Sequence, residues 1–104
     1  MFRMISMNQL EVYLESRMDL VLLDVRSPEE FATGHLYGAV NIPLEILEKQ
    51  GIDLGRERPV MVYCAHGSKS LLAARMLDSQ GIPVFACAGG LASYRGRFYV
   101  DRQL

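Results

Sequence analysis

Two runs of five residues constrain this chain more than anything else in it. They are "LVLLD" (Leu20 to Asp24) and "VMVYC" (Val60 to Cys64). Neither alternates polar with apolar, as a strand with one wet face does. A strand apolar at every position until its end is covered on both faces, which is the habit of parallel sheets flanked by helices.

The stretches around these runs carry helix signals. Met4-Ile5 reads as a short strand. Ser6 is placed to cap a helix, and Gln9 completes a capping box. Leu10, Tyr13 and Leu14 then form a stripe. After Asp24 come Ser27 as a second cap, Pro28 at the first helical position and Glu30 to close another box. Gly34 is expected to stop that helix. "AVNI" (Ala39 to Ile42) is a short strand candidate, Pro43 opens a helix through Leu47, and Gly51 to Arg58 reads as loop. A helix over about Ser68 to Ser79 carries Leu71, Leu72, Arg75 and Met76 and is expected to end at Gly81. Pro83 to Cys87 is a further strand, and Gly89-Gly90 opens the C-terminal segment. Strands alternating with helices imply an α/β fold with a mainly parallel sheet.

Composition limits the rest. At 104 residues the chain is expected to be one domain, 1–104. It is 50% hydrophobic and 22% charged, as a globular protein is, with a formal net charge of -1. Nothing global draws it to nucleic acid or to an acidic membrane, so any anion site must be local. The two cysteines make no disulfide framework, and no cysteine-histidine spacing points to zinc or another metal. No cofactor motif is visible. No leader-like apolar segment opens the sequence, and no run approaches membrane-spanning length. A reducing cytoplasm with free thiols is the simplest expectation.

Ligands of parallel α/β sheets bind outside the carboxyl ends of the strands. Cys64 stands at such an end, followed by Ala65, His66, Gly67, Ser68, Lys69 and Ser70. A strand-to-helix turn presents unpaired N–H groups, and these favour an anion. A thiolate there is such an anion. Gly67 lets the loop curl, His66 and Lys69 add cationic or hydrogen-bonding side chains, and Ser68 and Ser70 are placed to cap the helix. A cysteine ending a buried strand is, on its own, more often a small core residue. The glycine-bent, cationic loop beside it shifts the reading to a nucleophile. Cysteine phosphatases place an arginine six positions after the cysteine to grip phosphate with both prongs. Ser70 stands there instead, and Lys69 cannot supply the planar fork. Sulfur transfer through a persulfide fits better than phosphate-ester hydrolysis.

Three segments resemble a known family. "LLDVRSPEEFATGHLYGAVNIP" (Leu22 to Pro43), "VYCAHGSKSLLAARML" (Val62 to Leu77) and "GGLASY" (Gly89 to Tyr94) are similar, in order, to the signatures of single-domain rhodaneses. The resemblance implies a rhodanese-like fold: a five-stranded, mainly parallel sheet with helices on both faces. It implies that Cys64 takes a sulfane sulfur from a small donor such as thiosulfate. The persulfide then passes it to a thiophilic acceptor: cyanide, a thiol or a protein cysteine. Backbone amides from Ala65 to Ser70 would hold it. Lys69 and Tyr94 stand where the family commonly has arginine and tryptophan. Tyr37 replaces a frequent proline, and Ala88 a frequent acidic residue.

The remaining candidates have structural readings. Asp24 and Arg26 straddle a strand end at the edge that holds Cys64. They could orient the loop or bind substrate, but a hydrogen-bonded pair fixing the turn is preferred, since buried charges are usually paired. His35 is expected to bond loop backbone rather than act as a base. Cys87 is read as core, with a second-thiol role as its alternative. The function competing with catalysis is a non-catalytic interaction or sulfur-carrier module on the same fold.

Overall fold

The computed structural model describes residues 1–51 and 53–101. Ile52, within the expected Gly51–Arg58 loop, and residues 102–104 of the expected single domain lie outside the described residues.

The chain runs β1 (Arg3–Ser6), α1 (Met7–Glu15), β2 (Val21–Asp24), α2 (Pro28–Thr33), β3 (His35–Leu36), β4 (Val40–Asn41), α3 (Leu44–Gln50), β5 (Val60–Tyr63), α4 (Ser68–Ser79), β6 (Val84–Ala88), a 3-10 turn (Leu91–Ser93) and β7 (Tyr99–Val100). Five strands form a sheet in the order β1-β6-β5-β2-β4. Every neighbouring pair in it is parallel. β2 and β5 sit inside the sheet and are buried at every position, as their unbroken apolar runs require.

Helices cover both faces. On one face Leu44 and Leu47 of α3 and Ala73, Ala74 and Leu77 of α4 pack on Leu23, Val60, Val62 and Ala86. On the other, Met7 and Leu10 of α1, with Leu36, Leu91 and Tyr94, pack on Ile5, Leu22, Met61 and Tyr63. Both expected capping boxes form, at Ser6/Gln9 and at Ser27/Glu30.

Three expectations change. The buried face of α4 is Ser70, Ala73, Ala74 and Leu77, not the face of Leu72 and Arg75, which are exposed. Small side chains let this helix lie close to the sheet, so its inner face is marked by size rather than hydrophobicity. Gly34 does end α2, but at φ 162 its backbone is extended and needs no glycine. The glycine instead leaves room for the Tyr99 phenol, which lies where a Cβ would stand and would have to swing aside for one. The third is an antiparallel pair, β3 with β7 (His35 opposite Val100, Leu36 opposite Tyr99), which no local pattern announced.

Candidate active site

β5 delivers Cys64 to the carboxyl edge of the sheet at the mouth of α4. The residue is only 2% exposed. Its Sγ accepts hydrogen bonds from Gly67 N–H (3.0 Å) and Ser70 N–H (3.3 Å). Gly67 makes this curl possible. It holds the N-cap position of α4 at φ +107, and a Cβ there would press on Gly89 N at 3.2 Å. Two amides, those of Gly67 and Ser70, thus reach the Cys64 sulfur. The α4 dipole adds its positive end at the same place.

The side chains of the loop behave differently from expectation. Neither Ser68 nor Ser70 caps α4. A glycine occupies the cap position, and Ser70 is turned inward, fully buried, its hydroxyl donating to Gly67 O (2.9 Å) and Cys87 O (3.1 Å). His66 and Lys69 are exposed and make no hydrogen bond to Sγ. Lys69 is felt at Glu30, whose carboxyl is held below the usual range first by the Ser27 backbone and more weakly by this charge.

The loop is clamped from behind. Leu91 N–H donates to Cys64 O (2.9 Å) and Ala92 N–H to Ala65 O (3.0 Å). Such contact is possible only because position 90 is glycine. A Cβ on Gly90 would stand 2.5 Å from Ala65 O and 2.7 Å from Cys64 O, and its φ is +102. These clamping amides were not anticipated. The Gly89-Gly90 pair was their only trace in the sequence.

Beside the loop, Asp24 and Arg26 form a buried forked pair. Arg26 Nη2 donates to Asp24 Oδ2 at 2.8 Å and Nε to both carboxylate oxygens at 3.1 Å. The Arg26 amide adds a bond to Oδ1 (2.9 Å), and Nη2 reaches Gly34 O (2.6 Å). Burial alone would pull the guanidinium down; the hydrogen bond and charge of Asp24 outweigh it and push it above its ordinary value. Asn41 Nδ2 donates to the carbonyls of Asp24 and Arg26 (3.0 Å each), stitching β4 to this turn. His35 stacks on Phe31 at 3.8 Å, with Nδ1 2.8 Å from Phe31 O.

A cleft of about 550 Å³ opens next to Ala65, bordered also by Arg26, Leu91, Tyr94, Arg95 and Tyr99. Tyr94 is held by its phenol, which donates to Glu11 and accepts from Phe98 N–H. Arg95 and Tyr99 carried no signal of their own before folding. They come to the cleft through the C-terminal segment that β7 ties to β3.

Cys87 is fully buried and packs in the core on the opposite face from that of Cys64. Burial, and then the neighbouring Cys64, push its thiol up to about 12. Both cysteines are free. Among the described residues no cluster of three His, Cys, Asp or Glu could hold a metal, and no helix is long and apolar enough to cross a membrane.

Comparison with known proteins bears on this geometry. The chain is 31% identical over 97 residues to the thiosulfate sulfurtransferase GlpE of Coxiella burnetii, covering 91% of this chain and 89% of that protein. It is 39% identical over 77 residues to a tRNA sulfurtransferase of Desulfurococcus amylolyticus, covering 74% of this chain but only 15% of that protein. It is 32% identical over 94 residues to the putative sulfur carrier protein YrkF of Bacillus subtilis, covering 89% of this chain and 51% of that protein. A rhodanese-like domain protein from Staphylococcus aureus superposes with a TM-score of 0.86 at 22% identity, covering 98% of this chain and 100% of that one. A rhodanese-related protein from Thermoplasma volcanium gives 0.81 at 27% identity, with 97% and 100% covered. The model of the rhodanese-like domain matches residues 6–97, from the cap of α1 past the glycine clamp, and with the sheet and the cysteine loop in place the chain belongs to that family.

Proposed function

We propose that this chain is a sulfurtransferase in which Cys64 accepts a sulfane sulfur from thiosulfate or a related donor and passes it to a thiophilic acceptor. The observation that carries the reading is the Cys64 Sγ at the end of β5, met by the N–H groups of Gly67 and Ser70. Two fixed N–H donors and a helix N-terminus are placed to hold the sulfur that receives and passes on the transferred atom. The relative named as a thiosulfate sulfurtransferase over nearly its whole length supports the same chemistry.

In the first half-reaction the Cys64 thiolate attacks the outer sulfur of thiosulfate. A Sγ–S bond forms, the S–S bond of the donor breaks, and sulfite leaves with the electron pair. In the second, an acceptor takes the outer sulfur and Cys64 leaves as thiolate. This is a double displacement through a covalent enzyme intermediate. The loop Ala65, His66, Gly67, Ser68, Lys69 and Ser70 binds the transferred sulfur and its donor. Lys69 contributes charge toward a dianionic donor. Asp24, Arg26 and His35 support the turn beside it. The chain works as one domain, 1–104, in the cytoplasm, where its free thiols stay reduced.

Incubation with thiosulfate followed by intact-mass measurement tests this. Wild type should gain one sulfur atom, Cys64→Ser none, and Cys87→Ser as much as wild type. No gain on wild type, under conditions that load a known rhodanese, would sink the proposal. A second reading, a sulfur carrier, is favoured by the resemblance to YrkF. It shares the persulfide and differs in turnover: a carrier loads once, whereas an enzyme releases sulfite continuously when acceptor is present. A non-catalytic interaction module would load no sulfur at all.

A further inference from the structure

The cleft beside Ala65 has more room than cyanide needs. At about 550 Å³ it falls in the range of sites for small organic ligands, roughly 300–1,000 Å³. Its border combines the bodies of Leu91, Tyr94 and Tyr99 with two guanidinium groups, and no carboxylate borders it.

The two arginines are held in place with donors to spare. Arg26 uses Nε and Nη2 on Asp24 and Gly34, while Nη1 makes no hydrogen bond among the described residues. Among the described residues no fully buried side-chain nitrogen or oxygen lacks a partner. Nη1 is therefore not fully buried, and Arg26 is one of the residues that border the cleft. Arg95 is tethered through Nη1 to Ala92 O (3.2 Å) and Tyr94 O (2.9 Å), leaving Nε and Nη2 without hydrogen-bond partners among the described residues. Of the nearby acids, Asp24 is paired with Arg26, and Glu11 accepts from the Tyr94 phenol and borders the neighbouring pocket rather than this cleft. Asp24 offsets the charge of Arg26, while Arg95 keeps donors open at a cleft whose border includes Ala65, the residue after the proposed nucleophile.

We infer that this cleft is the acceptor site and that it selects a small thiol bearing a carboxylate, which Arg26 Nη1 and Arg95 bind while Tyr94, Tyr99 and Leu91 cover the carbon skeleton. The inference rests on the sulfurtransferase reading above. Planar guanidinium ends match a planar carboxylate better than a lysine could. With the carboxylate anchored, the thiol sulfur is presented toward the loop at Ala65. The acceptor thiolate attacks the outer sulfur of the Cys64 persulfide, and the new S–S bond forms as the Sγ–S bond breaks. The electron pair stays on Cys64 Sγ, and the proton of the thiol ends on the transferred sulfur. No oxidant or reductant enters.

Single-turnover unloading tests this. Persulfidated protein, prepared with thiosulfate or, if that fails, with polysulfide, is mixed with 3-mercaptopropionate or with neutral 2-mercaptoethanol. Second-order rates are corrected for thiolate fraction. Wild type should prefer the carboxylate thiol by about tenfold or more at low ionic strength, and the preference should shrink as salt is raised. Arg95→Ala should lose most of the preference. Arg26→Lys, which keeps the charge but not the fork, should lose part of it. Equal rates on loaded wild type would overturn the acceptor assignment and leave sulfur transfer standing. Undiminished preference in Arg95→Ala would overturn the role of the cleft. Failure to load by either route would overturn the sulfurtransferase reading and this inference with it.

Discussion

The Ser70 hydroxyl donates to the carbonyl of Cys87 at 3.1 Å, while the Ser70 amide donates to Cys64 Sγ at 3.3 Å. One residue in the first turn of α4 thus ties the cysteine loop to β6. The hydroxyl is fully buried and shares its proton with Gly67 O. Ser70→Ala keeps the amide and removes the tie. The expected loss is roughly 1–2 kcal/mol of stability, the usual effect of stripping a donor from buried acceptors. Urea unfolding measures it. Persulfide loading should slow without disappearing, because the amide bond to sulfur remains. Complete loss of loading in a variant that still folds would show that the hydroxyl acts on the sulfur directly.

Gly90 and Gly38 differ in what surrounds a side chain placed on them, and Gly90 also sits in extended positive-φ backbone, φ 102 and ψ -179. Both have positive φ, +102 and +84. A Cβ at 38 meets nothing within 4 Å, whereas one at 90 runs into the carbonyls of Cys64 and Ala65. Gly38→Ala should therefore cost only the conformational term, roughly 1 kcal/mol. Gly90→Ala should cost roughly 3 kcal/mol or more and slow sulfur loading as the Leu91 and Ala92 clamp is pushed off. Equal losses in the two variants would remove the clamp from the explanation.

What could be read before folding follows from locality. β2 and β5 announce themselves because burial on both faces leaves no polar position. The Ser6 and Ser27 boxes are visible because both partners of each lie within four residues. Cys64 stood out because strand, glycine and helix are contiguous around it. The inner face of α4 was missed because Ser70, Ala73 and Ala74 are chosen for smallness, and a hydrophobic stripe is blind to that. The β3–β7 pair joins Leu36 to Tyr99 across most of the chain, and each strand has two residues, too few to show a period. Arg95 was hidden for the same reason. Arg26 was visible as part of a motif, but only the fold sets Arg95 against the same space.

The Asp24–Arg26 pair should prove costly to break and insensitive to salt. Asp24 is fully buried and Arg26 nearly so. Asp24→Ala leaves a guanidinium without its partner away from water, which typically costs roughly 3–5 kcal/mol. Removing the exposed Asp19, 3.6 Å from Arg58, should change the unfolding midpoint little. Thermal or urea unfolding of the two variants makes the comparison. A loss in Asp24→Ala as small as that in Asp19→Ala would mean that the buried pair contributes register rather than stability.

Cys87 gives the fold an alkaline limit. Its thiol moves from an ordinary 9.0 to about 12, first through burial and then through Cys64. Between those values the folded chain keeps a proton that the unfolded chain has released. Stability is therefore whole below pH 9 and falls as pH rises through the window, by up to about 1.4 kcal/mol per pH unit. Tyr94, moved from 10.0 to about 12 by burial and by its bond to Glu11, acts in the same direction but only above pH 10. Urea titrations between pH 8 and 10 should then show a declining stability in wild type and a flatter one in Cys87→Ala, whatever the small cavity does to the absolute level. The same protonated thiol should resist iodoacetamide at pH 8 in the folded protein while Cys64 is labelled. An unchanged pH slope in Cys87→Ala, or equal labelling of both cysteines in folded wild type, would show that the thiol is neither as buried nor as hard to ionise as its place in the core requires.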